Sequence, residues 1–166
     1  MQIYVVRHGI AIDRQAAKAP ADAERFLTEE GKDKTRQVAA GFAKLEVNAD
    51  VFYSSPYVRA VQTAEIFADV LEYPKAKIRR TDLLLPSADP AMFFRELLKD
   101  KDSTAAILFG HAPHLDELVA AALGSKHIIT ALKKAGAAFI ELKRIAPPDA
   151  ELVWLATPKM LRRLAK

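Results

Sequence analysis

Ile3-Tyr4-Val5-Val6-Arg7-His8-Gly9 is an apolar, β-branched and aromatic run that ends abruptly on an arginine, a histidine and a glycine. Four consecutive apolar residues with no polar alternation read as a strand covered on both faces, the kind found in the middle of a parallel sheet. The same pattern returns at Ala105-Ala106-Ile107-Leu108-Phe109-Gly110-His111. Between and after these runs, helical spacing alternates with strand-like segments. Thr28 is placed to N-cap a helix reaching about Leu45, Asp50–Ser54 reads as a short strand, and Ser55-Pro56 supplies an N-cap and an N1 proline for a helix to about Leu71. Ile78–Thr81 reads as a short strand, and an irregular loop through Pro86 and Pro90 leads to a helix around Met92–Leu98. Pro113 opens a helix to about Leu123, and Ala137–Leu142 with Glu151–Leu155 form a late hairpin before a basic tail at Pro158. The expected fold is α/β, a three-layer sandwich on a mostly parallel sheet with an antiparallel edge, in one domain over residues 1–166.

Composition narrows the chemistry. The chain has 166 residues, 51% hydrophobic and 28% charged, and no cysteine, so disulfides, thiolate metal sites and thiol nucleophiles are excluded. The apolar run before Arg7 is too short for a signal peptide and no later run reaches membrane-spanning length, which gives a cytoplasmic protein without a membrane partner as the expectation. A net charge of +4 favours anionic ligands. Lys159, Arg162, Arg163 and Lys166 concentrate that charge in the tail, without the aromatic platform that nucleic-acid binding uses. This tail is expected to be a solvated terminus carried on a short helix in which Met160, Leu161 and Leu164 pack back on the domain.

Ligands of open α/β sheets sit beyond the carboxyl ends of the strands, where His8 and His111 each follow a strand. If those strands are neighbours, the two imidazoles meet. Gly9 and Gly110 beside them let the backbone turn sharply or approach a ligand closely. Arg7 adds a cation next to His8, and Arg59 lies in the first turn of the helix that follows Ser55-Pro56. Two guanidinium forks clamp a tetrahedral dianion while an imidazole attacks in line. His111 and His114 are too few ligands for a metal, so neither metal nor cofactor is expected, and His114 reads as a rim or capping residue.

Four ordered stretches now stand together: Arg7-His8-Gly9, Leu27-Thr28-Glu29-Glu30-Gly31, Ser54-Ser55-Pro56-Tyr57-Val58-Arg59-Ala60-Val61-Gln62-Thr63-Ala64, and Gly110-His111-Ala112-Pro113. In these the chain resembles the histidine phosphatase, or phosphoglycerate mutase-like, superfamily. The ending, from Trp154 through Pro158 and Leu161, is similar to the small bacterial phosphohistidine phosphatases of the SixA type. The resemblance implies that His8 is phosphorylated during turnover, while Arg7, Arg59 and His111, with Gly9 alongside, hold the phosphoryl group. Relatives acting on mutase or sugar substrates carry a glutamate acid in a leucine-rich loop, whereas here the loop reads Asp82-Leu83-Leu84-Leu85-Pro86-Ser87-Ala88-Asp89, with proline at that place. An alkoxide needs a positioned acid to leave, but a phosphorylated imidazole takes a proton on its distal nitrogen and leaves neutral. The expected substrate is therefore a phosphohistidine-bearing protein, met by a monomeric enzyme. The alternatives are a sugar or nucleotide phosphomonoesterase using Asp13, Asp82 or Asp89 as acid, and a non-catalytic phosphohistidine-binding module. Residues 13–26 are expected to be a plain surface loop or short helix.

Overall fold

The computed structural model describes residues 1–166. Six strands form one sheet: β1 (Gln2–Arg7), β2 (Val51–Ser54), β3 (Arg79–Arg80), β4 (Ala105–Gly110), β5 (Ala137–Arg144) and β6 (Asp149–Ala156), in the spatial order β3-β2-β4-β1-β5-β6. The first four in that order run parallel, and β5 and β6 are antiparallel. Five α-helices cover the faces: α1 (Glu29–Ala43), α2 (Val58–Val70), α3 (Pro90–Leu97), α4 (His114–Ala122) and α5 (Pro158–Leu164). None is long and apolar enough to cross a membrane.

The period-2 geometry of a strand divides β1 between two cores. Ile3 and Val5 point into one, with Val51, Leu108, Phe93 and Leu118, beneath α3 and α4. Tyr4 and Val6 point into the other, with Phe42, Phe52, Phe67, Phe109 and Leu161, beneath α1, α2 and α5. β4 is buried along its whole length, as its uninterrupted apolar sequence requires. Its register with β1 pairs Arg7 with Gly110, so the chain leaves both strands at the same level and delivers His8 and His111 side by side.

Of the two helix starts that the sequence marks with a capping residue, one is as expected and one differs. α1 begins on Thr28, whose hydroxyl accepts from the Gly31 amide at 3.0 Å, as expected. α2 begins at Val58 rather than at Pro56, with Tyr57 at its N-cap position and no side-chain cap there; the Ser55 hydroxyl accepts from the Tyr57 amide just ahead of it at 3.4 Å. Gly31 occupies a tight place: a Cβ there would lie 2.0 Å from the Ile10 carbonyl oxygen, so only glycine lets α1 press against the chain just past His8. The terminal helix forms as expected, but only Leu161 of its apolar residues is buried, and Met160 and Leu164 stay exposed.

Candidate active site

His8 lies at the carboxyl end of β1, 6% exposed. Its Nδ1 is 2.8 Å from the carbonyl oxygen of Gly9. A carbonyl only accepts, so Nδ1 carries the proton and Nε2 keeps a free electron pair. Arg59, the second residue of α2, donates from Nε to that Nε2 at 3.3 Å. Burial, the largest cause, pushes the His8 pKa from 6.5 down to about 3; the charges of Arg59, Arg7 and Lys134 add to it, against the hydrogen bond to Gly9. The imidazole is therefore neutral at ordinary pH.

The ring of His111 stands 5.1 Å from that of His8, centroid to centroid. His111 Nε2 and the hydroxyl of Ser55, the residue expected to cap α2, are 2.8 Å apart. Tyr57 packs edge-on against His111 at 5.1 Å, and the Arg59 guanidinium lies over the Tyr57 ring at 5.0 Å. Burial first, then the nearby His8 and Arg59, hold the His111 pKa down to about 2. Two donor positions of this group, Arg7 Nε and His111 Nδ1, are buried and lack a protein partner. Buried polar atoms are rarely left so, and an anion's oxygens are suitable partners.

Arg7 is positioned from a distance. It donates from Nη1 to the Leu132 carbonyl at 2.7 Å, and Leu132 is itself pinned by the buried carboxylate of Asp116 in α4, whose Oδ1 accepts from the Leu132 amide at 2.9 Å and the Thr130 hydroxyl at 2.7 Å. Burial lowers the Arg7 pKa, and the charge of Asp116 opposes that. Gly9, expected among the phosphate contacts, has its amide committed to Thr63 Oγ1 at 3.0 Å and its carbonyl to His8, so it serves to aim the imidazole. It is glycine for space: a Cβ would come 2.3 Å from Thr35 Oγ1.

Residues 13–26 form a largely exposed stretch with a short helical turn, as expected, but one residue of it reaches the site. Asp22, in a short 3-10 turn (Asp22–Glu24), accepts from Arg59 Nη2 at 3.2 Å on its carboxylate and from Nη1 on its carbonyl. Arg14 and Arg25 also bind that carboxylate. Burial works to raise the Asp22 pKa, but hydrogen bonds from Arg25 and Arg14 and the charge of Arg59 outweigh it and hold the carboxyl well below the usual range. Asp22 is thus an ionised anchor that steadies Arg59. Of the three acidic residues considered from sequence, Asp82 is exposed, Asp13 accepts from the Gln15 amide, and Asp89 caps α3 through the Ala91 amide; none hydrogen-bonds Arg7, His8, Arg59 or His111. His114, expected as a rim or capping residue, is fully buried with neither ring nitrogen partnered, and burial lowers its pKa. Sequence reasoning missed Ser55 as a histidine partner, Asp22 and Asp116, because each acts across 14 to 56 positions of chain with no local pattern to betray it.

Residues 3–84 match the model of the histidine phosphatase superfamily (branch 1). Over 97% of its length the chain is 35% identical to an uncharacterized protein of Picosynechococcus sp., covering 99% of that protein. It is 30% identical to the phosphohistidine phosphatase SixA of Escherichia coli (strain K12) over 72% of this chain and 73% of that one. Among solved structures, the protein histidine phosphatase SixA complexed with tungstate superposes with a TM-score of 0.84, at 25% identity, over 96% of this chain and 98% of the other.

Proposed function

The chain belongs to the histidine phosphatase superfamily, and from that membership we propose that it hydrolyses phosphohistidine on a protein through a covalent phosphohistidine formed on its own His8. The observation that carries the reading is the state of His8: neutral, its Nδ1–H fixed on the Gly9 carbonyl, its Nε2 unprotonated and engaged only by a long 3.3 Å hydrogen bond from Arg59, beside His111. In the first displacement Nε2 attacks phosphorus in line, the P–N bond to the substrate imidazole breaks, and that imidazole leaves with a proton on its distal nitrogen. Arg59 Nε, released from Nε2, turns to a phosphoryl oxygen, and Arg7 Nε and His111 Nδ1 gain the partners they lack. In the second displacement water attacks the phosphohistidine, phosphate departs, and Nε2 recovers its lone pair.

Support for a P–N substrate comes from the acids. Asp22, the carboxylate bound to Arg59, is held ionised and has no proton to give an alkoxide, and Pro86 stands in the loop where relatives acting on monoesters carry glutamate. SixA of Escherichia coli is named a phosphohistidine phosphatase, and the tungstate bound by a SixA structure is a tetrahedral oxyanion, as phosphate is.

The test is release of phosphate from a phosphohistidine-bearing protein domain, run beside sugar and nucleotide monoesters, with His8→Ala as control. Selective loss of the P–N phosphate, abolished by His8→Ala together with the acid-labile phosphoenzyme, is expected. Preference for the monoesters overturns the substrate assignment, hydrolysis retained by His8→Ala overturns the mechanism, and tight binding without turnover makes the protein a recognition module.

A further inference from the structure

Of the four cations of the tail, Lys159, Arg163 and Lys166 are exposed and Arg162 is half-buried. Lys159 and Arg162 of α5 line a cavity of about 150 Å³ together with Lys34 of α1 and Lys134 of the turn before β5, and its remaining walls include Ile10 and Ala135. No carboxylate lines it. Lys34 is paired with Glu30 one turn away on its own helix, whereas Lys134, Lys159 and Arg162 enter no ion pair. The Nε of Arg162 is buried with no hydrogen-bond partner. A buried donor of a permanent cation, left open among three further cations, is the mark of a place built for an anion.

The cavity adjoins the active site through the backbone. Ile10 follows His8 by two residues, and the Ala135 amide donates to the carbonyls of both Arg7 (3.0 Å) and His8 (3.1 Å). Ala135 holds φ at +59°, a left-handed conformation costly for any residue with a side chain, and it is this turn that places Lys134 beside the cavity. The charge of Lys134 is felt at His8. At about 150 Å³ the cavity is well below the ~300–1,000 Å³ that holds a whole small ligand, so it suits one functional group of a molecule bound mainly elsewhere.

We propose that this cavity is a second anion subsite, in which Lys134, Lys159 and Arg162 take a carboxylate or phosphate group carried by the same substrate that delivers its phosphoryl group to His8. The proposal deepens the phosphohistidine phosphatase reading and rests on it for the identity of the main substrate. Exposed ion pairs are individually weak and screened by salt, so the three together are expected to give only about a three- to tenfold advantage in KM.

The experiment compares three phosphohistidine peptides whose flanking residues are glutamate, phosphoserine or glutamine. Wild-type enzyme is expected to show a three- to tenfold lower KM for either anionic peptide than for the glutamine peptide, with kcat unchanged and the advantage fading in high salt. The greater advantage of the two names the group the subsite prefers. Lys134→Ala with Arg162→Ala should erase the difference, Lys134→Glu should reverse it, and Arg163→Ala, off the cavity on the same helix, should leave it intact. Equal KM for all three peptides in the wild type, or an advantage that survives Lys134→Glu, overturns the proposal. Affinities of the same peptides for His8→Ala read the preference without turnover. Selective binding of the anionic peptides with no hydrolysis by wild type would therefore sink the phosphatase reading and leave the subsite standing.

Discussion

Replacing Asp116 by alanine tests whether Arg7 is held by the chain of contacts that runs through Leu132. The carboxylate is 4% exposed, and its Oδ1 takes both the Leu132 amide and the Thr130 hydroxyl. Hydrogen bonds to a charged acceptor are worth ~1.5–3 kcal/mol each, so the pair contributes about 3–6 kcal/mol before relaxation. Ile129 is exposed beside Thr130, and the loop can turn partly to water, which sets the expectation near the lower end. Asp116→Ala should therefore cost about 3 kcal/mol in urea unfolding and lower Tm by roughly 6–12 °C in a domain of this size. Asp116→Asn keeps a neutral acceptor at Oδ1 and loses only the charge, so its cost should stay near ~1 kcal/mol. With Leu132 released, Arg7 loses the carbonyl bound by its Nη1, and kcat/KM of Asp116→Ala should fall about tenfold, mainly through kcat, at a temperature where the variant is folded. A stability loss below ~1 kcal/mol for Asp116→Ala, with unchanged kcat/KM, would refute the positioning role.

Three further outcomes follow from the same structure. His8 and His111 are buried neutral, with folded pKa values of about 3 and about 2 against 6.5 when unfolded, so the unfolded chain binds more protons below pH 6.5 and stability falls with pH from there; denaturant unfolding should show a loss of about 2 kcal/mol per histidine between pH 7 and pH 5, and a flat profile across that range would contradict their burial as neutral rings. Gly31→Ala should cost about 2–3 kcal/mol in the same assay, because its Cβ would meet the Ile10 carbonyl oxygen at 2.0 Å and that atom belongs to the backbone; a neutral effect would mean α1 and Ile10 separate freely. Ala135→Gly should raise stability by about 0.5–1 kcal/mol by relieving the left-handed conformation at φ +59°, and a measured loss would show that the turn is not strained.

Much of this architecture was legible in the sequence because it rests on local patterns. Runs such as Ile3–Val6 and Ala105–Phe109 announce strands buried on both faces, and Arg7-His8 and Gly110-His111 mark where they end. The rule that ligands lie past those ends then brought His8, His111, Arg7 and Arg59 to one place before any coordinates. What stayed hidden was competition for a single atom. Ser55 has the chemistry of an N-cap, yet its hydroxyl serves both His111 and the Tyr57 amide, and α2 starts later. Asp22 sits in a polar stretch that resembles an ordinary loop until Arg59 closes on it from a distance of 37 residues. Lys159, Arg163 and Lys166 of the tail are exposed as expected, whereas Arg162 is half-buried because of a cavity that α1 and the turn before β5 complete and that nothing local reveals.

The strand order also bears on how the protein is made. β4 lies between β1 and β2, and β1 is flanked only by β4 and β5. As the chain emerges from a ribosome, Ile3–Val6 therefore waits about 100 residues for its first partner, some 5–20 seconds at ~5–20 residues per second. During that interval a short, apolar, β-prone segment lies open to pairing with other chains. Arg7 follows it directly, and a charge flanking such a segment discourages aggregation. The guanidinium later held by Leu132 for the anion would thus act first as a gatekeeper of synthesis, and removing it should lower soluble yield as well as activity.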